Sequence, residues 1–239
     1  MATNIESADL EVSTSEYAAR FSGSIGRWML KTQENITLDL LKQEKGASVL
    51  EIGGGHGQLI TPLYQHGIDL TVLSSDEKGG QLIHNKINQG QCKFLVGNPL
   101  DLPLADNTFD VVLSYRFMAH VSDWRQLLNE MTRVSKNAII VDYPRQLACL
   151  STTSISYKLK KYFEGDTRPY SSFPDSTLDD YLSSIGMNLV ERKAQFIWPM
   201  VAHRVLKSPG VSTAMEKPFK MLGITDKYGS PCVAKYSKR

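Results

Sequence analysis

At 239 residues with 41% apolar side chains, the chain is long enough for one large α/β domain, or a core domain with a modest addition, and it can bury a real core. Its 27 basic and 25 acidic residues leave a formal net charge of +2, which excludes a global field for nucleic acid. Three cysteines (Cys92, Cys149 and Cys232), odd in number and far apart, exclude a disulfide framework or a metal set and point to a reducing, cytoplasmic setting, and no apolar run approaches bilayer-spanning length.

Residues 1–16 are polar and acidic, without a basic start followed by an apolar run, so they read as a flexible tail and not as a signal peptide. Residues 17–42 carry Phe21, Ile25, Trp28, Met29, Ile36, Leu40 and Leu41 at helical spacing, with Gly23 and Gly26 as breaks, and predict a helical cap within 17–46. The first strand is 48–52, followed by a glycine-rich turn and a helix from Gln58. The second strand, 69–73, ends in Ser74-Ser75-Asp76, where Asp76 is placed to cap a helix over 80–87. A third strand over 93–96 leads into a loop over 97–108 punctuated by Pro99, Pro103 and Asp106-Asn107. The fourth strand is 109–114, a helix follows over 122–134, and a fifth strand covers 138–141. The last third is less regular. It holds a period-free stretch over 149–173, a short helix over 177–186 closed by Gly186, and a strand over 188–198. Two apolar pieces over 199–223 and an edge strand over 233–236 complete it.

Strand and helix alternate five times, and the strands are continuous apolar runs, the pattern of a parallel sheet covered on both faces. Ligands of such sheets bind beyond the carboxyl ends of the strands, near the switch point. That rule gathers 51–57, 74–76, 97–100, 114–120 and 142–144 around one crevice.

The turn Val49-Leu50-Glu51-Ile52-Gly53-Gly54-Gly55-His56-Gly57 carries the most information. Glycines there let the backbone approach a ligand, and the next helix points its amides toward the bound molecule. The spacing is Glu-x-Gly-x-Gly-x-Gly; a dinucleotide fingerprint needs glycine at 58, where Gln58 stands. Glu51 would repel a phosphate but can hold an ammonium group. A phosphate-free nucleoside with an amino-acid tail therefore fits better, and S-adenosylmethionine is such a ligand.

Residues 47–145 resemble the class I S-adenosylmethionine-dependent methyltransferases, in the small-molecule branch that includes ubiquinone/menaquinone-type C-methyltransferases. The segments VLEIGGGHG, GNPLDLPLADNTFDVVLS and HVSDWRQLLNEMTRV carry the resemblance. It implies an α/β, Rossmann-like, doubly wound sheet of seven strands, mostly parallel with an antiparallel last strand. A single domain over 17–239 would comprise the N-terminal cap, a cofactor-binding core over 47–146, and a C-terminal part over 147–239 with substrate-lid segments. The resemblance implies that Glu51, Gly53, Gly54, Gly55 and Gly57 hold the methionine part and ribose of the cofactor. The ribose hydroxyls fall to Ser74, Ser75 or Asp76, because Ser74 stands where the family carries an acid. Asn98, Pro99 and Leu100 meet the adenine, Asn98 through its carbonyl oxygen. Tyr17 and Arg20, together with Arg27, lie on a segment that folds over the cofactor in similar proteins. Ser114 ends the fourth strand, and Tyr115, Arg116 and His120 follow it at the family's acceptor-facing positions.

Methyl transfer from a sulfonium is an in-line displacement, so the protein mainly supplies positioning and a dry pocket, and a base helps only when the acceptor loses a proton. His120 is a candidate base, or a helix-entry histidine bonded to a carbonyl. Arg116 holds an anionic acceptor or the cofactor carboxylate, or pairs with Asp123 or Asp142. The basic, aromatic run Tyr157, Lys158, Lys160, Lys161, Tyr162, Arg168 and Tyr170 grips an anionic acceptor or is a solvated lid face. Residues 195–204 line an acceptor pocket, belong to the core or make a dimer contact, and His203 reads as structural. The sequence thus points to an enzyme that methylates a small apolar or aromatic molecule at carbon or oxygen. No metal, nucleic-acid partner or membrane span is expected, and the chain would be a monomer or homodimer. The alternatives are an NAD(P)-dependent oxidoreductase, opposed by Gln58 and Ser74, and a non-catalytic methyltransferase-like scaffold, opposed by the intact glycines.

Overall fold

The computed structural model of the chain describes residues 6–12, 14, 18–54, 56–146 and 171–239, with 11 and 12 described by backbone alone. Seven strands form one sheet: β1 (Ser48–Ile52), β2 (Asp69–Ser74), β3 (Lys93–Val96), β4 (Phe109–Ser114), β5 (Ser135–Tyr143), β6 (Met187–Ala194) and β7 (Cys232–Lys238). Their spatial order is β3-β2-β1-β4-β5-β7-β6. The first five strands pair in parallel, and β7 runs antiparallel to both β5 and β6. The chain steps outward from β1 to β2 and β3, then returns to start the other half at β4, so the switch point lies between β1 and β4.

Around the sheet lie α1 (Ala8–Val12), α2 (Gly23–Leu40), α3 (Ile60–Gln65), α4 (His84–Asn88), α5 (Trp124–Val134), α6 (Asp175–Ser184), α7 (Met200–Leu206), α8 (Pro209–Met221) and α9 (Ile224–Tyr228). Alternate strand residues enter two cores, one on each face. Leu50, Ile52, Val112, Ile139 and Val141 pack with Leu127, Leu128 and Met131 of α5 and Leu178 and Leu182 of α6. Val49, Leu70, Val72, Val111, Leu113 and Ile140 pack with Ile36 and Leu40 of α2 and with Ile60 and Leu63 of α3. By this alternation Glu51 points to the face covered by α2 and α3.

Four expectations are corrected. The strand over 233–236 is not an edge: β7 lies between β5 and β6, with Cys232, Val233, Ala234 and Tyr236 fully buried. Its short unbroken apolar core is what a strand covered on both faces requires, whereas β6 exposes Leu189 and Val190 at the true edge. The strand over 188–198 stops at Ala194, because the amides of Ile197 and Trp198 turn away to donate to the Glu216 carboxylate at 2.9 and 3.1 Å. The helix expected over 80–87 is a 3-10 helix, Glu77–Ile83, followed by α4; Gly79 and Gly80, poor helix formers, sit in its middle. The tail over 1–16 is not free throughout: Ala8 and Asp9 of α1 are buried against the sheet.

The loop between β3 and β4 is tied down by one side chain. Arg133 donates to the Glu130 carboxylate (2.8 and 2.7 Å), to the carbonyls of Leu102 (3.1 Å) and Leu104 (2.7 Å), and to Asp106 (2.8 Å). Glu130, itself buried, accepts from the Leu102 amide at 2.7 Å. Removing the guanidinium strands that carboxylate and frees two carbonyls. Arg133→Ala is expected to lower unfolding stability by about 2–3 kcal/mol in urea titrations, more than Lys136→Ala, which breaks only an exposed pair with Asp110.

Candidate active site

The carboxyl ends of β1, β2, β4 and β5 meet at one rim. At the end of β1 the chain turns through Gly53 (φ +78°) and Gly57 (φ +69°), a backbone that side-chain-bearing residues rarely adopt. The Gly53 amide donates to Leu73 on β2 at 2.9 Å, and the Gly57 amide closes a turn onto Gly54 at 2.8 Å. Lys86 of α4 donates to the Gly57 carbonyl at 2.5 Å. A Cβ on Gly54 would stand 2.5–2.6 Å from the Glu51 carboxyl, and one on Gly57 would meet Ile83 at 2.5 Å. These two glycines are needed for the protein's own packing, since the loop folds directly over Glu51. The helix after the turn starts only at Ile60. Gly55 lies outside the described residues.

Glu51 is 4% exposed. Burial pushes its carboxyl from 4.5 up to about 7, against the opposing pull of Arg116 and Lys86. Its Oε2 atom is buried with no hydrogen-bond partner among the described residues, and so is Oε1 of Gln58. The Gln58 amide is oriented by a buried chain. Its Nε2 donates to Gln33 Oε1 (2.5 Å), Gln33 Nε2 donates to Asp142 Oδ2 (3.2 Å), and Asp142 Oδ1 accepts from the Arg116 amide (2.6 Å). Since Asp142 offers only acceptors, each amide in the chain presents its nitrogen toward it. Gln58 is left with its oxygen turned elsewhere. Two acceptors without donors thus stand at the glycine turn.

Arg116 follows β4 at φ +57°, a left-handed backbone rare for a residue with a side chain. Its guanidinium lies 4.9 Å from the Phe21 ring centroid, and its charge bears on Glu51, His56 and Asp142. Burial, with Arg116 and Lys86 adding to it, pushes the His56 imidazole down to about 4. Burial raises Asp142 to about 6 despite the Arg116 amide and charge. His120 ends a 3-10 helix, Met118–His120, a few residues along.

Other expected residues sit differently. Tyr115 is in the core on the α2 face, its phenol raised by burial and its hydroxyl 2.7 Å from Thr37 Oγ1. Ser114 is fully buried and donates to the neighbouring Ile52 carbonyl at 3.2 Å. Asp76 caps the 3-10 helix through the Lys78 amide (2.8 Å) and does not reach back to the rim. Asn98 Oδ1 accepts from Leu100 N at 3.1 Å beside the buried Pro99. Arg20 is exposed on the turn before α2. Tyr17 and the run from Tyr157 to Tyr170 lie outside the described residues. His203 is buried against Glu216 (2.9 Å), a structural pair. Ser74 and Ser75 bond to Asp9 of α1: Ser74 Oγ at 2.5 Å, Ser75 N at 2.8 Å and Ser75 Oγ at 2.6 Å.

Asp9, Gln33 and Lys86 do not stand out in the sequence as rim residues. Only Gln33 left a signal, as a polar residue in the apolar helical series Met29, Ile36, Leu40. A hollow of about 380 Å³ under Leu38, Leu41, Gln65 and His66 lies at the amino ends of the strands, away from this rim.

Residues 50–141 match the family described as "Methyltransferase domain". A demethylmenaquinone methyltransferase of Paenarthrobacter aurescens (strain TC1) is 27% identical over 157 residues, covering 64% of this chain and 59% of that protein. One of Renibacterium salmoninarum is 30% identical over 114 residues, 48% of this chain and 45% of the relative. The O-methyltransferase resE of Aspergillus sclerotiorum is 28% identical over 99 residues, 39% of this chain and 38% of the relative. The chain spans about half the length of the curated relatives it matches. In fold it is similar to magnesium protoporphyrin IX methyltransferase from Synechocystis PCC 6803, solved with bound SAH (TM-score 0.67, 12% identity, 95% of this chain and 96% of the other).

Ionised Glu51 is a desolvated charge. Its folded-state pKa lies above its unfolded value, so its contribution to stability is complete below pH 4.5 and is lost as pH rises through about 7. Glu51→Gln is expected to raise thermal stability at pH 8, by up to roughly 3 kcal/mol, and to leave it nearly unchanged at pH 5. Calorimetric melting at the two pH values checks this.

Proposed function

We infer that this chain, a member of the class I S-adenosylmethionine-dependent methyltransferase family, transfers a methyl group from that cofactor to a small-molecule acceptor. The observation that carries the reading is the pair of donorless acceptors at the glycine turn. Glu51 Oε2, against the Gly54 position, and Gln58 Oε1, on the residue after Gly57, are buried and lack a donor among the described residues. An ammonium group supplies several donors and a positive charge, which suits a buried carboxylate above all. A phosphate supplies neither. Gln58 also occupies the position where a dinucleotide fingerprint needs glycine, so the nicotinamide alternative is set aside.

The cofactor's amino-acid end would lie against Glu51 and Gln58, and its ribose would fall to the hydroxyls of Ser74 and Ser75. Its adenine would meet Pro99 and Leu100, with the Asn98 carbonyl oxygen taking the amino group. When bound, the cofactor supplies the activated methyl. The chain's own part is to orient the acceptor and exclude water. Arg116 would be the acceptor-side cation and suits an anionic or phenolate-like oxygen; its backbone is fixed by Asp142. His120 is the candidate base for an acceptor that must lose a proton. The names of the relatives, demethylmenaquinone methyltransferase and O-methyltransferase, support a quinone-related small molecule or a hydroxyl group as acceptor. Two buried free thiols, Cys92 and Cys232, suit a reducing compartment such as the cytoplasm. No helix among the described residues is long and apolar enough to cross a membrane.

Transfer of labelled methyl from S-adenosylmethionine to a panel of phenols and quinols tests the reading. Stoichiometric S-adenosylhomocysteine with labelled product is expected; absence of cofactor binding by calorimetry would sink it. Gly54→Val is expected to abolish binding and to lower the melting temperature as well, because its side chain must enter the space of the Glu51 carboxyl. His120→Ala is expected to lower kcat about 100-fold for acceptors that lose a proton, and Arg116→Ala to raise KM selectively for anionic acceptors.

A further inference from the structure

One short segment closes the nucleoside end of this crevice. Asp9 and Ala8 of α1 are 0% and 1% exposed. The Asp9 carboxylate accepts three hydrogen bonds, from Ser74 Oγ, Ser75 N and Ser75 Oγ. Its Cβ stands 3.6 Å from the position a Cβ on Gly53 would take, over the glycine turn. Leu10 reaches to 3.7 Å of the corresponding point on Gly79. The Glu6 amide lies 3.4 Å from Asn98 Oδ1. The same few residues therefore touch the loops after β1, β2 and β3 together.

We propose that α1 is an internal competitor of the cofactor: the Asp9 carboxylate occupies the ribose-diol position on Ser74 and Ser75, and the segment must leave before the nucleoside can bind. The inference rests on the cofactor reading above and concerns the regulation of that same site. Two oxygens on one carbon mimic the two neighbouring hydroxyls of a ribose, and the serine donors serve either. The seal is built to be displaced. A five-residue helix is not stable alone, and among its described side chains Ala8 is the one apolar residue in the core. What holds it is a set of charge-assisted hydrogen bonds to a carboxylate that water solvates well once released. A ligand that makes the same bonds without a buried charge wins the exchange. Such a seal lowers apparent affinity by the fraction of molecules that are open, so weakening it raises affinity.

The geometry also allows an opposite role, in which Asp9 supplies the ribose-binding acid that β2 lacks. The two roles differ in sign. Calorimetric titration with S-adenosylhomocysteine would compare the full chain with Asp9→Ala and with a chain lacking residues 1–12. Both variants are expected to bind about tenfold tighter. Hydrogen exchange on the full chain should show the amides of α1 losing protection when the ligand is added. Equal or weaker binding by Asp9→Ala, or continued protection of α1 in the complex, overturns the competitor while leaving the cofactor reading intact. Failure of all three proteins to bind overturns both.

Discussion

The site depends on a carboxylate placed where water cannot reach it. Glu51 ends the central strand, faces the α2 side of the sheet and is covered by its own following turn. Gly54 makes this possible, since any side chain there would collide with the carboxyl. The consequence is electrostatic: burial costs the ionised form more than Arg116 and Lys86 return, and the group is left near neutrality. A strand-end glutamate that served only solubility would have no reason to lose its water. One that waits for a cation would.

The rest of the rim is organised around that charge. The chain Gln58, Gln33, Asp142 and Arg116 amide joins the glycine turn, α2, β5 and the residue after β4. Lys86 pins the turn from the opposite side. These bonds couple elements far apart in sequence, so the residue after β4 and the end of the glycine turn are held by one connected network. Buried networks of this kind are rigid when satisfied. Among the described residues Gln58 Oε1 is left in it as an acceptor without a donor, which a bound ammonium would supply.

Much of this is legible in the sequence because it is local. The five parallel strands are short apolar runs with turn residues between them, and the glycine spacing by itself argues against a pyrophosphate site. What is not legible is non-local. The Cys232-Val233-Ala234 run reads the same whether it lies at an edge or between β5 and β6, and only strand pairing decides. Tyr115 follows β4 as expected, but strand alternation turns it onto Thr37 and into the core. Ser74 looks like a missing acid; the acid beside it comes from Asp9, 65 residues earlier, in a segment whose composition resembles an ordinary polar tail. Lys86 gives no signal, because a lone lysine on a short helix is usually solvated.

The central claim is that the Glu51 carboxyl is the cofactor's ammonium partner, and its own titration reads this most directly. Carbon-13 spectra of glutamate-labelled protein, assigned through Glu51→Gln, would follow that carboxyl between pH 4 and pH 9 with and without S-adenosylhomocysteine. The account predicts a midpoint near 7 in the free protein, moving well down into the ordinary carboxylate range when the ligand is bound. A midpoint that ligand binding leaves in place would contradict it.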